Sequence, residues 1–179
     1  MEYDLVSTPT QETVQLVADF LSNLTKQNDN LPTVHLTRFH ARTIPAIDIH
    51  GYLTRILRYA PCGNEAFLAV LVYLDRMSNP DTYLSTPQFA TSTIISLRDA
   101  RDPSGSGKRL PIVINSYNIH RLLICGIMVA VKFLSDIFYT NSHIARVGGL
   151  PVNELNQLEI EFLLLNDFNL TVEVEELQR

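Results

Sequence analysis

Four charged side chains stand where the hydropathy pattern calls for apolar ones. Asp75 and Arg76 directly follow nine consecutive hydrophobic residues, Ala66 to Leu74. Lys132 closes a charge-free run of ten, Leu122 to Val131, and Phe133 and Leu134 continue the apolar character beyond it. Glu159 lies beside Leu158 in the last helical segment. Charges so placed are rarely buried unless paired. Two roles are open to them: internal pairing or solvation at helix ends, or framing an apolar surface on which their hydrogen bonds orient a docked partner.

Other chemistry finds no support in the residues. Ser104-Gly105-Ser106-Gly107-Lys108-Arg109 suggests a phosphate loop, but Asp102 stands where the first glycine belongs, Arg109 replaces the Ser or Thr, and no strand precedes it. The five histidines and two cysteines form no Cys-x-x-Cys or His-x-x-x-His pair. Cys125, inside the apolar run, behaves as a small hydrophobe. No Gly-x-Ser-x-Gly elbow occurs. The expectation is a non-enzymatic chain with no metal and no cofactor.

The elements that must position the four charges are helices. Thr8-Pro9-Thr10-Gln11 predicts a helix start, with Thr8 as N-cap and Pro9 at the first helical position. Val14, Val17, Phe20, Leu21 and Leu24 line one face of that helix. After a connector to residue 44, Asp48 predicts the cap of a second helix that Pro61 stops, and Asn64 the cap of a third. That third helix carries the nine-residue run, is apolar on every side, and must be surrounded by protein. Residues 81–111, with Pro87, Pro103 and Pro111, read as a long irregular loop with a short helix over Phe89 to Leu97. A second central helix runs from Ser116 or Asn118 to Asp136 or Phe138, about 30 Å. Asn141-Ser142 predicts the cap of a short helix that Gly148-Gly149 ends. Pro151 opens a last one with Leu155, Leu158, Phe162 and Leu165 on one stripe. The tail from Leu170 alternates apolar and acidic residues and is expected to extend from the core. The fold class is all-α, with no βαβ alternation and no repeat.

Size and charge set the remaining bounds. A chain of 179 residues, 46% hydrophobic, with mean hydropathy +0.07, is one globular domain with an appended arm. A net charge of −5 argues against nucleic acid as a partner. Ten apolar residues are half of a membrane span, and the acidic start Met1-Glu2-Tyr3-Asp4 lacks a signal peptide's basic region, so no membrane partner is expected. Two cysteines suit an intracellular, reducing compartment, cytoplasm or nucleus.

Several strings, in order, resemble the cyclins, specifically the single-box P/U-type (phosphate-pathway, PHO-type) cyclins. They are Tyr52-Leu53-Thr54-Arg55-Ile56, Tyr73-Leu74-Asp75-Arg76, Asn118 to Ile124, Met128 to Phe133, Asn141, Ala145 to Gly149 and Glu154 to Leu163. The resemblance implies an N-terminal helix and connector over 1–44. A single cyclin box over 45–170 follows, five helices around a central hydrophobic one with 81–111 as a long internal loop, and then a tail over 171–179. It implies a regulatory subunit that forms a heterodimer with a cyclin-dependent protein kinase and activates it by positioning the kinase's regulatory helix, in phosphate signalling or cell-cycle control, and it leaves room for an inhibitor protein. Lys132 and Glu159 match family positions that hydrogen-bond kinase backbone. Phe133, Leu163, Phe168 and Leu170 match its apolar contacts, and Asp75 and Arg76 a structural motif. The alternative is a helical interaction module with a non-kinase target.

The chain departs from the family in places. The arginine that pairs with the residue matching Asp75 is missing from Ala46-Ile47-Asp48-Ile49-His50, so Asp75 needs another partner, with Arg55, Arg76 and His50 as candidates. The methionine-arginine start of the substrate-recruiting patch is missing too. Asp136, four residues beyond Lys132, is expected on the same helical face. It either pairs with Lys132 or meets a kinase arginine that otherwise binds a phosphorylated activation loop.

Overall fold

The two charge-free runs are the two buried helices. In the computed structural model, which describes residues 7–32, 36–79 and 111–177, they form α3 (Asn64–Ser78) and α4 (Ile119–Leu134). Around them lie α1 (Thr10–Asn28), α2 (Ile49–Tyr59), α5 (Asn141–Gly148) and α6 (Val152–Leu165), and a single turn, α7 (Val174–Leu177), ends the described chain. No strand occurs among the described residues. α4 is the hub: α2, α3, α5 and α6 all pack on it, while α1 lies across α2 and α3. Close approach is possible because Gly126 has no side chain. A methyl group there would stand 3.1 Å from Phe162 Cζ and 3.2 Å from Val70 Cγ1.

Local chemistry sets the helix ends. Asp48 accepts from the Gly51 N–H at 2.7 Å and caps α2 as the sequence predicts. Gly149, at φ 71°, terminates α5 in the left-handed region that favours glycine. Elsewhere the caps shift by one residue. Pro9 occupies the N-cap position of α1 with an extended ψ of 138°, so that helix starts at Thr10. Asn64 is the first residue of α3, not its cap. Its amide donates to Thr8 O at 2.7 Å and its oxygen accepts from Thr13 Oγ1 at 2.8 Å, tying the start of α1 to the start of α3.

Two expectations about chain path are corrected. α4 stops at Leu134, short of Asp136 or Phe138, so its 16 residues span about 24 Å. Ser135 turns extended, and its hydroxyl donates to Ile137 O at 2.9 Å and accepts from Ile137 N at 3.3 Å, a local alternative to the helical ladder. The tail, expected to extend from the core, instead lies along α3. Tyr73 Oη donates to Leu170 O at 2.8 Å, and Arg76 donates to Asn169 O at 2.9 Å and Thr171 O at 2.7 Å. The Phe89–Leu97 helix, the Ser104–Arg109 string and the irregular loop but for Pro111 lie outside the described residues.

Candidate partner-binding site

Lys132 emerges in the last turn of α4, where a cation suits the helix dipole. Its Nζ donates to Glu159 Oε1 on α6 at 2.6 Å and to Asn141 Oδ1, the first residue of α5, also at 2.6 Å. Asn141 Nδ2 in turn donates to Glu159 Oε2 at 2.9 Å and to Asn156 Oδ1 at 2.7 Å. Three helices thus meet in one polar ring. The Lys132 and Glu159 side chains keep 28% and 18% of their surface. The ring therefore faces outward while remaining paired.

Apolar side chains flank it along the chain. Phe133 and Leu134 follow Lys132 and are exposed, Ile137 is 84% exposed, and Phe138 and Ile160 are exposed as well. Beyond the end of α6, Phe168 is 52% exposed. Leu163 and Leu170 are half-buried and pack against the core. Phe168 is held outward by its backbone. Asp167 and Phe168 both take left-handed φ values, 56° and 54°, which costs about 1–2 kcal/mol per residue. Phe168 N donates to Leu163 O at 2.8 Å, and buried Asn166 donates its side-chain amide to Phe162 O at 3.1 Å.

The remaining sequence candidates separate. Asp136 is exposed and past the end of α4, so the i, i+4 pairing with Lys132 does not form; the carboxylate on Lys132 is Glu159. Asp75 is exposed and accepts from Asn79 Nδ2 at 2.9 Å. Its neighbour Arg76 is buried and pairs with Glu176 at 2.9 Å besides holding the tail carbonyls. Asn141 is the site residue whose role sequence reasoning missed. It reads as a helix cap, but Thr140 takes the cap, accepting from His143 N, and frees the Asn141 amide for the ring. An asparagine directly after a threonine was the available signal.

Nucleophile and metal chemistry gain nothing from the structure. Burial pushes the Cys125 thiol well up, with the Glu159 charge acting the same way, and burial pushes Cys62 up to about 12. Neither is a thiolate at neutral pH. Among the described residues, no group of three His, Cys, Asp or Glu is placed to hold a metal ion, and no helix is long and apolar enough to cross a membrane.

Comparison with known proteins gives the same outline. The cyclin family profile matches residues 6–170. PHO85 cyclin-like protein psl1 of Schizosaccharomyces pombe is 38% identical over 98% of this chain and 67% of its own length. PHO85 cyclin-7 of Saccharomyces cerevisiae is 37% identical over 96% of this chain and 59% of its own. Cyclin-U4-1 of Arabidopsis thaliana is 35% identical over 89% and 67%. The chain thus spans about two thirds or less of these curated relatives. With α2, α3, α5 and α6 packed around α4 and a profile match that spans all five, the chain belongs to the cyclin family.

Proposed function

We propose that this cyclin is the regulatory partner of a cyclin-dependent protein kinase, binds it as a heterodimer through the Lys132–Glu159 face, and supplies no catalytic group of its own. The observation that carries the reading is the part-exposed polar ring, with exposed Phe133 next to Lys132 in the chain and exposed Ile137 and Phe168 just past the ends of α4 and α6. An ammonium has three N–H donors, and two of those on Lys132 are used inside the ring. One donor, and free lone pairs on both Glu159 oxygens, remain for a partner backbone without breaking the ring. Leu163 and Leu170, half-buried against the core, and exposed Phe168 would supply the apolar contacts.

A kinase requires its Lys–Glu ion pair and its metal-binding aspartate in place together, and its regulatory helix controls both. A cyclin that binds the active arrangement more tightly shifts the population toward it by that difference in affinity. Asp136, which makes no hydrogen bond or ion pair among the described residues, would offer its charge to a kinase arginine that otherwise binds a phosphorylated loop. The yeast relatives are named for PHO85, a cyclin-dependent kinase. Those names support a role in phosphate signalling or cell-cycle control, inside the cell.

The test is recombinant PHO85 assayed for phosphorylation of a peptide substrate with and without the purified chain. Activation by the parent chain, lost in Lys132→Ala, supports the reading; a folded parent chain that neither binds nor activates the kinase overturns it. For Asp136, unchanged activation by Asp136→Ala removes the arginine contact.

A further inference from the structure

Three consecutive backbone carbonyls directly after Phe168 are each taken by a side chain of α3. Asn169 O and Thr171 O accept from the Arg76 guanidinium, and Leu170 O between them accepts from Tyr73 Oη. Both side chains are buried, at 6% and 0% exposure. The nitrogen that serves Thr171 O, Nη2, is also held by Glu176, whose two oxygens lie 3.0 and 2.9 Å from it. Glu176 is fixed in turn by the Glu173 N–H at 3.0 Å. On the other side of Phe168, Asn166 and Asp167 close the end of α6 onto the Phe162 and Leu164 carbonyls. The two left-handed residues, Asp167 and Phe168, are therefore held between fixed points. A strained pair of this kind persists only where its surroundings over-determine it.

We infer that Tyr73 and Arg76 are positioning residues that preset Phe168 for the kinase, an inference that rests on the proposed function. The chain's alternative, relaxing both left-handed residues, would release the ring from its present exposed position past the end of α6. With the carbonyls clamped, the ring is presented before binding, and the ordering cost is met during folding rather than on association. Neither residue touches the partner in this reading. Each acts through Phe168.

Tyr73→Phe is the cleanest probe, because it removes one hydroxyl and keeps the ring that stacks edge-on against Phe162 at 6.0 Å. Glu176→Gln is the second, loosening the guanidinium without emptying its site. Both are titrated against recombinant PHO85 in the parent and Phe168→Ala backgrounds, with hydrogen exchange of the Phe168 and Asn169 amides measured in the free chain. The expected result is faster exchange at those amides and affinity weakened about three- to tenfold in the parent background, the range for one hydrogen bond. No further loss is expected in Phe168→Ala. Equal losses in both backgrounds, unchanged exchange, or parent-like binding by Phe168→Ala each overturn the inference. Glu159→Ala, measured alongside, separates this from a failure of the kinase reading. If it weakens binding while the clamp variants do not, only the clamp is wrong.

Discussion

Replacing Glu159 with alanine separates what the polar ring does for the fold from what it does for a partner. Within the chain, the substitution removes one acceptor from Lys132 at 2.6 Å and one from Asn141 at 2.9 Å. Both groups keep another partner: Lys132 retains Asn141 Oδ1 and Asn141 retains Asn156 Oδ1. The ion pair is also part-exposed, at 28% and 18%, so water screens it and its worth to the fold is about 1 kcal/mol or less. For a chain of this size that lowers Tm by at most about 2–4 °C. In the proposed complex the same carboxylate would be desolvated, and a charge-assisted hydrogen bond there would contribute about 1.5–3 kcal/mol, or about 10- to 150-fold in Kd. The assay pairs a thermal melt with a titration against PHO85 at a temperature where both chains are fully folded. An affinity within about twofold of the parent, or melting low enough to account for the weaker binding, refutes the assignment of Glu159 to the partner face.

Two further predictions concern the fold. His120 Nε2 lies 2.7 Å from Ile47 O and so must donate, leaving Nδ1 bare and buried with no hydrogen-bond partner among the described residues. Burial holds its pKa below the usual histidine value, against the opposing pull of Ile47 O and Asp48. The unfolded chain therefore binds more protons below about pH 6.5. The contribution to stability is intact above that pH and is lost as pH falls toward the folded-state value. Urea melts of His120→Gln, which can still donate to Ile47 O but does not titrate, are expected to show a shallower acid decline than the parent. Parallel declines would discard this account. Gly148→Ala is expected to destabilise by about 1–3 kcal/mol, because its methyl group would stand 2.7 Å from Ile124 Cγ1 and 3.1 Å from Tyr52 Oη. Tyr52 Oη donates to the Gly148 carbonyl; a melt unchanged in the alanine variant would show that α5 yields freely against α2 and α4 there.

What the sequence revealed tracks how local each determinant is. The helices α3 and α4 were legible because burial on all sides demands an unbroken apolar run, and Asp48 and Gly149 because caps act within a few residues. The end of α4 was not. Leu134, Ile137 and Phe138 continue the hydrophobic pattern, and the short-range bonding of Ser135 overrode it. The opposite fates of Asp75 and Arg76 were equally hidden, since Arg76 finds its partners in the tail, 93 to 100 positions along the chain. Lys132 and Glu159 stood out by type, but their direct contact across 27 positions depends on how α4 and α6 pack. Family resemblance, not periodicity, assigned them to one face.

The polar ring draws one residue from each of three helices, so it exists only where α4, α5 and α6 are all seated. A chain with α6 unseated would separate the ammonium from the carboxylate by the width of the gap and present neither in register. Half-made or damaged copies would then compete poorly for a kinase, and recognition would double as an inspection of whether the subunit has finished folding.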